Sequence, residues 1–202
     1  MNSKNNWESF YKENYGNKYP ETPLIRFISK RFSTIKNKKD IKILDIGCGS
    51  GATISFLSRE GYTAFGIDAS STAIENCKTR LEDENLEAEV IVGDFKKLPF
   101  KNNFFNCITD IASLQHNSDS DIQLTISEIY RTLSKDGLVF FMLISDNKNL
   151  SDERFYTNYI SDKKIEKMLS KFHIIEKNYL KYSEQNGEKY IKFNLIEAKK
   201  RQ

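Results

Sequence analysis

The sequence predicts an α/β fold: a doubly wound sheet of seven strands, mostly parallel with an antiparallel last strand, helices on both faces, and a helical cap at the N-terminus. Three observations predict it. From residue 41 onward, short apolar runs alternate with segments of helical periodicity, the pattern of strand–helix units that wind into a parallel sheet. Leu138-Val139-Phe140-Phe141-Met142-Leu143-Ile144 is apolar without alternation, as a strand buried between two helix layers must be. Near the end, two strand-like segments, 172–183 and 189–198, flank Glu184-Gln185-Asn186-Gly187, whose Asn-Gly pair favours a hairpin and turns the last strand antiparallel.

The elements follow in order. Residues 4–14 read as a short helix. After Pro20 and Pro23, the apolar Leu24, Ile28, Phe32 and Ile35 recur at helical spacing, so a helix is expected over 21–35. Residues 41–46 form the first strand, 51–60 a helix ending before Gly61, and 62–68 the second strand. A helix over 71–83 carries Ile74, Cys77 and Leu81 on one face; strands follow at 88–92 and 104–109. Ile122, Ile126, Ile129 and Leu133 mark a helix over 119–134. The strand at 138–144, a helix near 162–170 and the hairpin complete a single domain over 1–202. Its parts are a cap over 1–40, a core over 41–145 and a completing tail over 146–202.

Composition bounds the function. The chain has 202 residues, 39% of them hydrophobic, enough for one ordinary domain but not for a second large one. Lys+Arg 31 against Asp+Glu 28 leaves a net charge of +3, so neither a nucleic-acid partner nor an anionic membrane is expected. The longest apolar run is too short to span a bilayer, and Met1-Asn2-Ser3-Lys4-Asn5-Asn6 has no apolar signal core, so a cytoplasmic location is expected. Cys48, Cys77 and Cys107 are widely spaced and form no CxxC or Cys/His pattern, so neither a metal site nor a disulfide framework is expected.

The informative segment is Asp45-Ile46-Gly47-Cys48-Gly49-Ser50-Gly51, which leaves the first strand and enters a helix. Glycines there remove side chains where the backbone must turn sharply and touch a ligand. Gly47 to Ala52 also satisfies G-x-G-x-x-G/A, the dinucleotide fingerprint, and Asp68 at the end of the second strand fits either a dinucleotide or another nucleoside, since its carboxylate can accept from ribose hydroxyls. Three features favour a cationic nucleoside over a pyrophosphate. Asp45 precedes the first glycine by two residues; Gly93-Asp94-Phe95 puts another acid at the end of the third strand; and the chain is short for a dehydrogenase. Ser70 or Ser71 is the expected cap of the following helix, which leaves Asp68 free. Cys48 reads as a small packing residue.

On these motifs, with Gly66-Ile67-Asp68-Ala69-Ser70, Gly93-Asp94-Phe95-Lys96-Lys97-Leu98-Pro99-Phe100, Phe104-Phe105-Asn106-Cys107-Ile108 and Glu128-Ile129-Tyr130-Arg131-Thr132-Leu133-Ser134-Lys135-Asp136-Gly137, the chain resembles the class I S-adenosylmethionine-dependent methyltransferases of the small-molecule type, over about residues 41–145. The resemblance implies a Rossmann-like sheet and S-adenosyl-L-methionine as cofactor, with S-adenosyl-L-homocysteine as product. It implies that Asp45 and the loop of Gly47, Cys48, Gly49 and Gly51 hold the methionyl part, that Asp68 takes the ribose with Ala69 beside the adenine, and that Gly93, Asp94 and Phe95 border the adenine. Asp110 to Ser113 would line the methyl end. Asn106 and Asp136 depart from the usual pattern at positions not expected to touch the cofactor.

On the acceptor side, His116 follows the fourth strand at the sheet's carboxyl edge and is the candidate base or substrate contact. Tyr11, Tyr15 and Tyr19, with Trp7, are candidate lid residues over a small-molecule acceptor, and residues 145–162 are expected to share in shaping its pocket. The leading expectation is methyl transfer to an oxygen or nitrogen by in-line displacement. Alternatives are a detoxifying enzyme acting on a thiol, thiopurine or tellurite-type oxyanion, a nicotinamide-dependent oxidoreductase, and a catalytically silent cofactor-binding subunit. Oligomeric state is not legible.

Overall fold

The computed structural model describes residues 3–148, 154–184 and 189–201. Its centre is a seven-stranded sheet in the order β3-β2-β1-β4-β5-β7-β6. The strands are β1 (Lys42–Ile46), β2 (Thr63–Asp68), β3 (Glu89–Val92), β4 (Phe105–Ile111), β5 (Leu133–Lys148), β6 (Phe172–Glu184) and β7 (Lys189–Lys200). Pairs among β1 to β5 are parallel, and β7 runs antiparallel between β5 and β6, as expected. The strand order reverses between β1 and β4, which opens a crevice at the carboxyl ends of those strands. The Asn-Gly turn falls within 185–188, outside the described residues.

Two apolar layers hold the helices to the sheet. On one face Leu44, Ile46 and Phe65 pack with Ile122, Ile126 and Ile129 of α5 (Asp119–Thr132) and Ile165 and Met168 of α6 (Asp162–Met168). On the other, Ile43 and Ala64 pack with α2 (Thr22–Phe32), α3 (Ala52–Arg59) and α4 (Ser71–Asp83). β5 serves both: Val139, Phe141 and Leu143 belong to the first layer, Phe140, Met142 and Ile144 to the second. Each such side chain contributes roughly 1.5–3 kcal/mol by leaving water. The expectation of a strand buried on both faces holds for this reason. Among the described residues, no helix is long and apolar enough to cross a membrane.

The boundaries depart from the expected ones where polar or bulged residues hide pairing. α2 closes at Phe32, three residues early; Ser33 N–H bonds back to Ser29, and Ile35 packs against the core from the following turn. β4 runs on to Ile111, because Asp110 and Ile111 still pair with Phe141 and Met142. The polar Asp110 made that strand end look like a loop. α5 stops at Thr132 because Leu133 is already extended and pairs with Phe105. Residues 134–137 are then a bulge in β5, with Asp136 at φ +62, where the sequence suggested a turn between helix and strand.

The residues expected to form one N-terminal cap divide into two units. α2 is a layer helix: Leu24, Phe27 and Ile28 are buried, and Phe27 stacks on Phe140 at 4.9 Å. α1 (Ser3–Glu13) lies instead against α4, at the edge of the crevice. Glu8 ties it there, accepting from Ser70 Oγ at 2.7 Å, from Ser71 Oγ, and from the amide and hydroxyl of Thr72. These bonds hold the Glu8 carboxyl down at about 2.

Candidate functional site

A cavity of about 1060 Å³ opens in the crevice. Its floor comes from the carboxyl ends of the parallel strands: Gly47 after β1, Asp68 and Ala69 after β2, Gly93 to Phe95 after β3, and Ile111 to Ser113 at the end of β4. Its roof comes from Trp7 and Tyr11 of α1, from His116, and from Tyr156. Thus Gly47, Asp68, Ala69, Gly93, Asp94, Phe95, Ser113, His116 and Tyr11 meet around one space. Asp45, Cys48, Gly49, Gly51 and Asp110 are not among its lining residues. Tyr15 and Tyr19 stand outside it, 52% and 72% exposed.

The glycine loop follows from two local facts. Gly47 adopts φ +66, and a Cβ there would collide with Ser113 Oγ, whose hydroxyl donates to the Gly47 carbonyl at 3.2 Å. Gly49 adopts φ +53 directly beneath the Tyr11 phenol, which leaves no room for a side chain. The loop amides are turned inward. Those of Gly47 and Cys48 donate to Ile67 O, that of Gly51 to Cys48 O, and that of Gly49 to Asp68 Oδ2 at 2.9 Å. Such a loop approaches a ligand closely but offers it few donors, so it does not suit a pyrophosphate.

Asp68 is not as free as its position suggested. Ser70 is the helix cap, accepting from Ala73 N–H, yet the other Asp68 oxygen accepts from Ser70 N–H at 2.9 Å. The carboxylate thus clips the loop to the start of α4. Burial raises its pKa, and the amides of Ser70, Gly49 and Ala69 oppose that shift. A carboxylate has about four lone-pair sites, so acceptor capacity toward the cavity remains. Asp45 is buried in β1, where Thr109 Oγ1 donates to it at 2.6 Å. Burial pushes its pKa up to about 7, with Thr109 and Thr53 hydroxyls opposing, and no salt bridge among the described residues involves it. A cationic ligand nearby would favour its charged form.

Asp94 is held by its own neighbour: Oδ1 accepts from Lys96 N–H at 2.9 Å, and Lys96 Nζ lies 3.5 Å from both Asp94 and Asp121. Asp110 is fully buried, and its Oδ1 accepts from Ser113 N–H at 3.2 Å and Leu114 N–H at 3.0 Å. It shapes the turn that carries His116, from within β4. Ala112 in that turn takes φ +62, a conformation disfavoured for a residue with a Cβ and anchored by its N–H to Met142 O.

His116 is fixed on both sides. Its ring meets Trp7 edge-on at 5.0 Å, and Trp7 stacks on Phe155 at 4.1 Å. Nδ1 lies 2.8 Å from the Tyr156 carbonyl oxygen. A carbonyl only accepts, so Nδ1 carries the proton and Nε2 is the basic nitrogen. Burial lowers the His116 pKa below its ordinary value, against the pull of that carbonyl, so the ring is neutral at pH 7. Phe155 and Tyr156 were not singled out individually; the one signal was an aromatic pair in an otherwise polar stretch. Lys96, Asn117, Ser118 and Asp121, which also line the cavity, carried no signal.

Comparison with known proteins agrees with this geometry. A family model described as a methyltransferase domain matches residues 43–137. The ubiquinone biosynthesis O-methyltransferase of Pelagibacter ubique (strain HTCC1062) is 33% identical over 123 residues, 61% of this chain and 49% of that one. The 18S rRNA (guanine-N(7))-methyltransferase of Bos taurus is 27% identical over 157 residues, 69% of this chain and 54% of that one. The chain thus spans about half the length of these curated relatives. A solved S-adenosylmethionine-dependent methyltransferase from Methanosarcina mazei shares the fold, with TM-score 0.71 and 22% identity over 89% of this chain and 98% of that one.

Sheet order and these matches together show that residues 43–137 are similar to a methyltransferase domain and that the chain has the fold of solved S-adenosylmethionine-dependent methyltransferases.

Proposed function

We propose that the protein methylates a small-molecule oxygen or nitrogen, using S-adenosylmethionine, in the cytoplasm. The observation that supports this best is the pairing of Asp68, at the end of β2, with a neutral His116 across one cavity. When bound, the cofactor supplies an electrophilic methyl on a sulfonium that is already a good leaving group. Asp68 would accept from the ribose hydroxyls; Ala69, Gly93, Asp94 and Phe95 would border the adenine. Asp45 and the loop of Gly47, Cys48, Gly49 and Gly51 would surround the methionyl end, with Ser113 toward the methyl and Asp110 supporting it. The inward-turned loop amides and the acidic surroundings fit a cation and disfavour a nicotinamide dinucleotide.

His116 Nε2 would take the acceptor's proton as the new bond forms, while Nδ1 holds the ring against Tyr156. Trp7 and Tyr156 line the cavity beside it. An acceptor screen that follows S-adenosylhomocysteine release tests the reading, with phenols, amines, thiols and RNA oligonucleotides as the four arms. Turnover is expected with a hydroxyl or amine. Turnover only on RNA would align the protein with the rRNA relative instead. His116→Gln is expected to lower kcat by about 10²–10³ with S-adenosylhomocysteine affinity unchanged. In the wild type the rate should fall as pH drops through a value below 6.5, because His116 must be unprotonated. An acid limb that persists in His116→Gln assigns the base elsewhere.

A further inference from the structure

An anionic ligand group entering the methionyl end meets a problem of supply. Of the loop residues 47–51, the amides of Gly47, Cys48, Gly49 and Gly51 already donate to protein acceptors. The buried carboxyls nearby, Asp45 and Asp68, are acceptors or negative charges, and neither has a salt-bridge partner among the described residues. They suit an ammonium. Ser50 is buried and does not line the cavity, so a carboxylate there needs a donor from outside the loop.

The structure places one there. The Tyr11 hydroxyl lies over Gly49, close enough that a Cβ on that residue would strike it, and Tyr11 lines the cavity. Among the described residues no side-chain hydrogen bond engages that hydroxyl; the Asn76 amide reaches Tyr11 at its main-chain carbonyl instead, donating at 3.3 Å. Burial and the Asp68 charge keep the phenol protonated and therefore a donor. α1 is set in register by Glu8, three residues earlier and so on the same helix face. Its bonds to Ser70, Ser71 and Thr72 fix α1 on the start of α4.

We propose that Tyr11 is a cofactor contact rather than an acceptor contact: its hydroxyl donates to the carboxylate of the cofactor's methionyl group, and Glu8 is the positioning residue that holds it over Gly49. This rests on the S-adenosylmethionine reading of the site. It makes α1 an element that closes on the cofactor, so that cofactor binding completes the roof against which an acceptor then packs.

Calorimetry with two ligands tests this. S-adenosylhomocysteine carries the amino-acid end; 5′-methylthioadenosine shares the adenosine and sulfur but lacks it. Tyr11→Phe is expected to weaken S-adenosylhomocysteine roughly 10-fold and to leave 5′-methylthioadenosine within about twofold. Glu8→Gln is expected to weaken S-adenosylhomocysteine less, and the double variant no more than Tyr11→Phe, because Glu8 acts through Tyr11. Equal losses for both ligands would make Tyr11 a packing residue and overturn the proposal, as would additive effects of the two substitutions. Wild-type protein that binds neither ligand would overturn the cofactor reading itself, an outcome distinct from either. Thermal melts of each variant separate loss of contact from loss of fold.

Discussion

The two walls of the cavity are built by opposite means. The wall of β1, β2 and the start of α4 is local. Residues 45–73 supply its glycine turn, its two buried carboxyls and its helix cap, held by hydrogen bonds among themselves and by Thr109, Ser113, Gly93 and Glu8 from outside. The facing wall is assembled from Trp7 and Tyr11 on α1, His116 after β4, and Tyr156, with Phe155 stacked on Trp7. These come from three distant stretches and meet through ring contacts and one carbonyl. The first wall tolerates little change because its geometry is backbone geometry. On the proposed function the second sets the acceptor, because its members are side chains that can be exchanged.

The largest effect should come from breaking the first wall. Gly47→Ala puts a Cβ into Ser113 Oγ at a positive φ, so strain and overpacking together should cost about 2–4 kcal/mol. Ser113 sits in the turn that carries His116, so the displacement reaches both walls. S-adenosylhomocysteine affinity should fall at least about 30-fold by calorimetry. Retention within threefold would mean that the loop has slack the geometry does not show.

The same contrast explains what was legible in the sequence. Alternating elements, the antiparallel tail and the glycine turn are written in consecutive residues, so the fold and the turn after β1 are legible directly. In the sequence Asp68 looks free, because its bond to Gly49 spans 19 residues and depends on how two turns meet. Asp110 was placed in a loop because a polar residue ended an apolar run, although pairing with Phe141 continues the strand. Tyr156 was invisible as a partner of His116: a main-chain carbonyl 40 residues away leaves no trace in residue type.

A middle-sized effect should separate charge from shape in the first wall. In the folded protein Asp45 has its pKa pushed up to about 7, whereas an unfolded chain gives a carboxyl near 4. The folded state therefore holds the proton more tightly, and the stability tied to that proton is lost as pH rises from about 4 through 7. Asp45→Asn cannot ionise. The ligand-free variant should be more stable than wild type above pH 7, on the order of 2–4 kcal/mol, with the gap closing toward pH 4. Urea unfolding across that range measures it. Parallel stability profiles would show that the carboxyl ionises without penalty, and that the wall needs no cationic ligand to neutralise it. If the carboxyl has a binding role, the stabilised variant should at the same time bind S-adenosylmethionine more weakly.

The smallest effects should come from two aromatics that resemble the second wall only in sequence. Trp7, Tyr11, Tyr15 and Tyr19 share one aromatic segment, but α1 ends at Glu13, and only the first two reach the cavity. Tyr15 instead lies 5.8 Å from the Arg80 guanidinium, whose Nη1 donates to Asn17 O at 3.0 Å, and Tyr19 is 72% exposed beside Lys18. An exposed cation–π contact contributes about 0.5–1 kcal/mol at most. Tyr15→Ala and Tyr19→Ala should therefore leave acceptor KM and kcat within about twofold, with only a slight loss of stability for Tyr15→Ala. Trp7→Ala removes the ring that joins His116 to Phe155 and should raise acceptor KM several-fold while sparing S-adenosylhomocysteine binding. The division between lid and bystander then runs at the end of α1. A tenfold change in acceptor KM from Tyr19→Ala would move that division, because it would require residues 14–21 to fold over the cavity mouth when an acceptor binds.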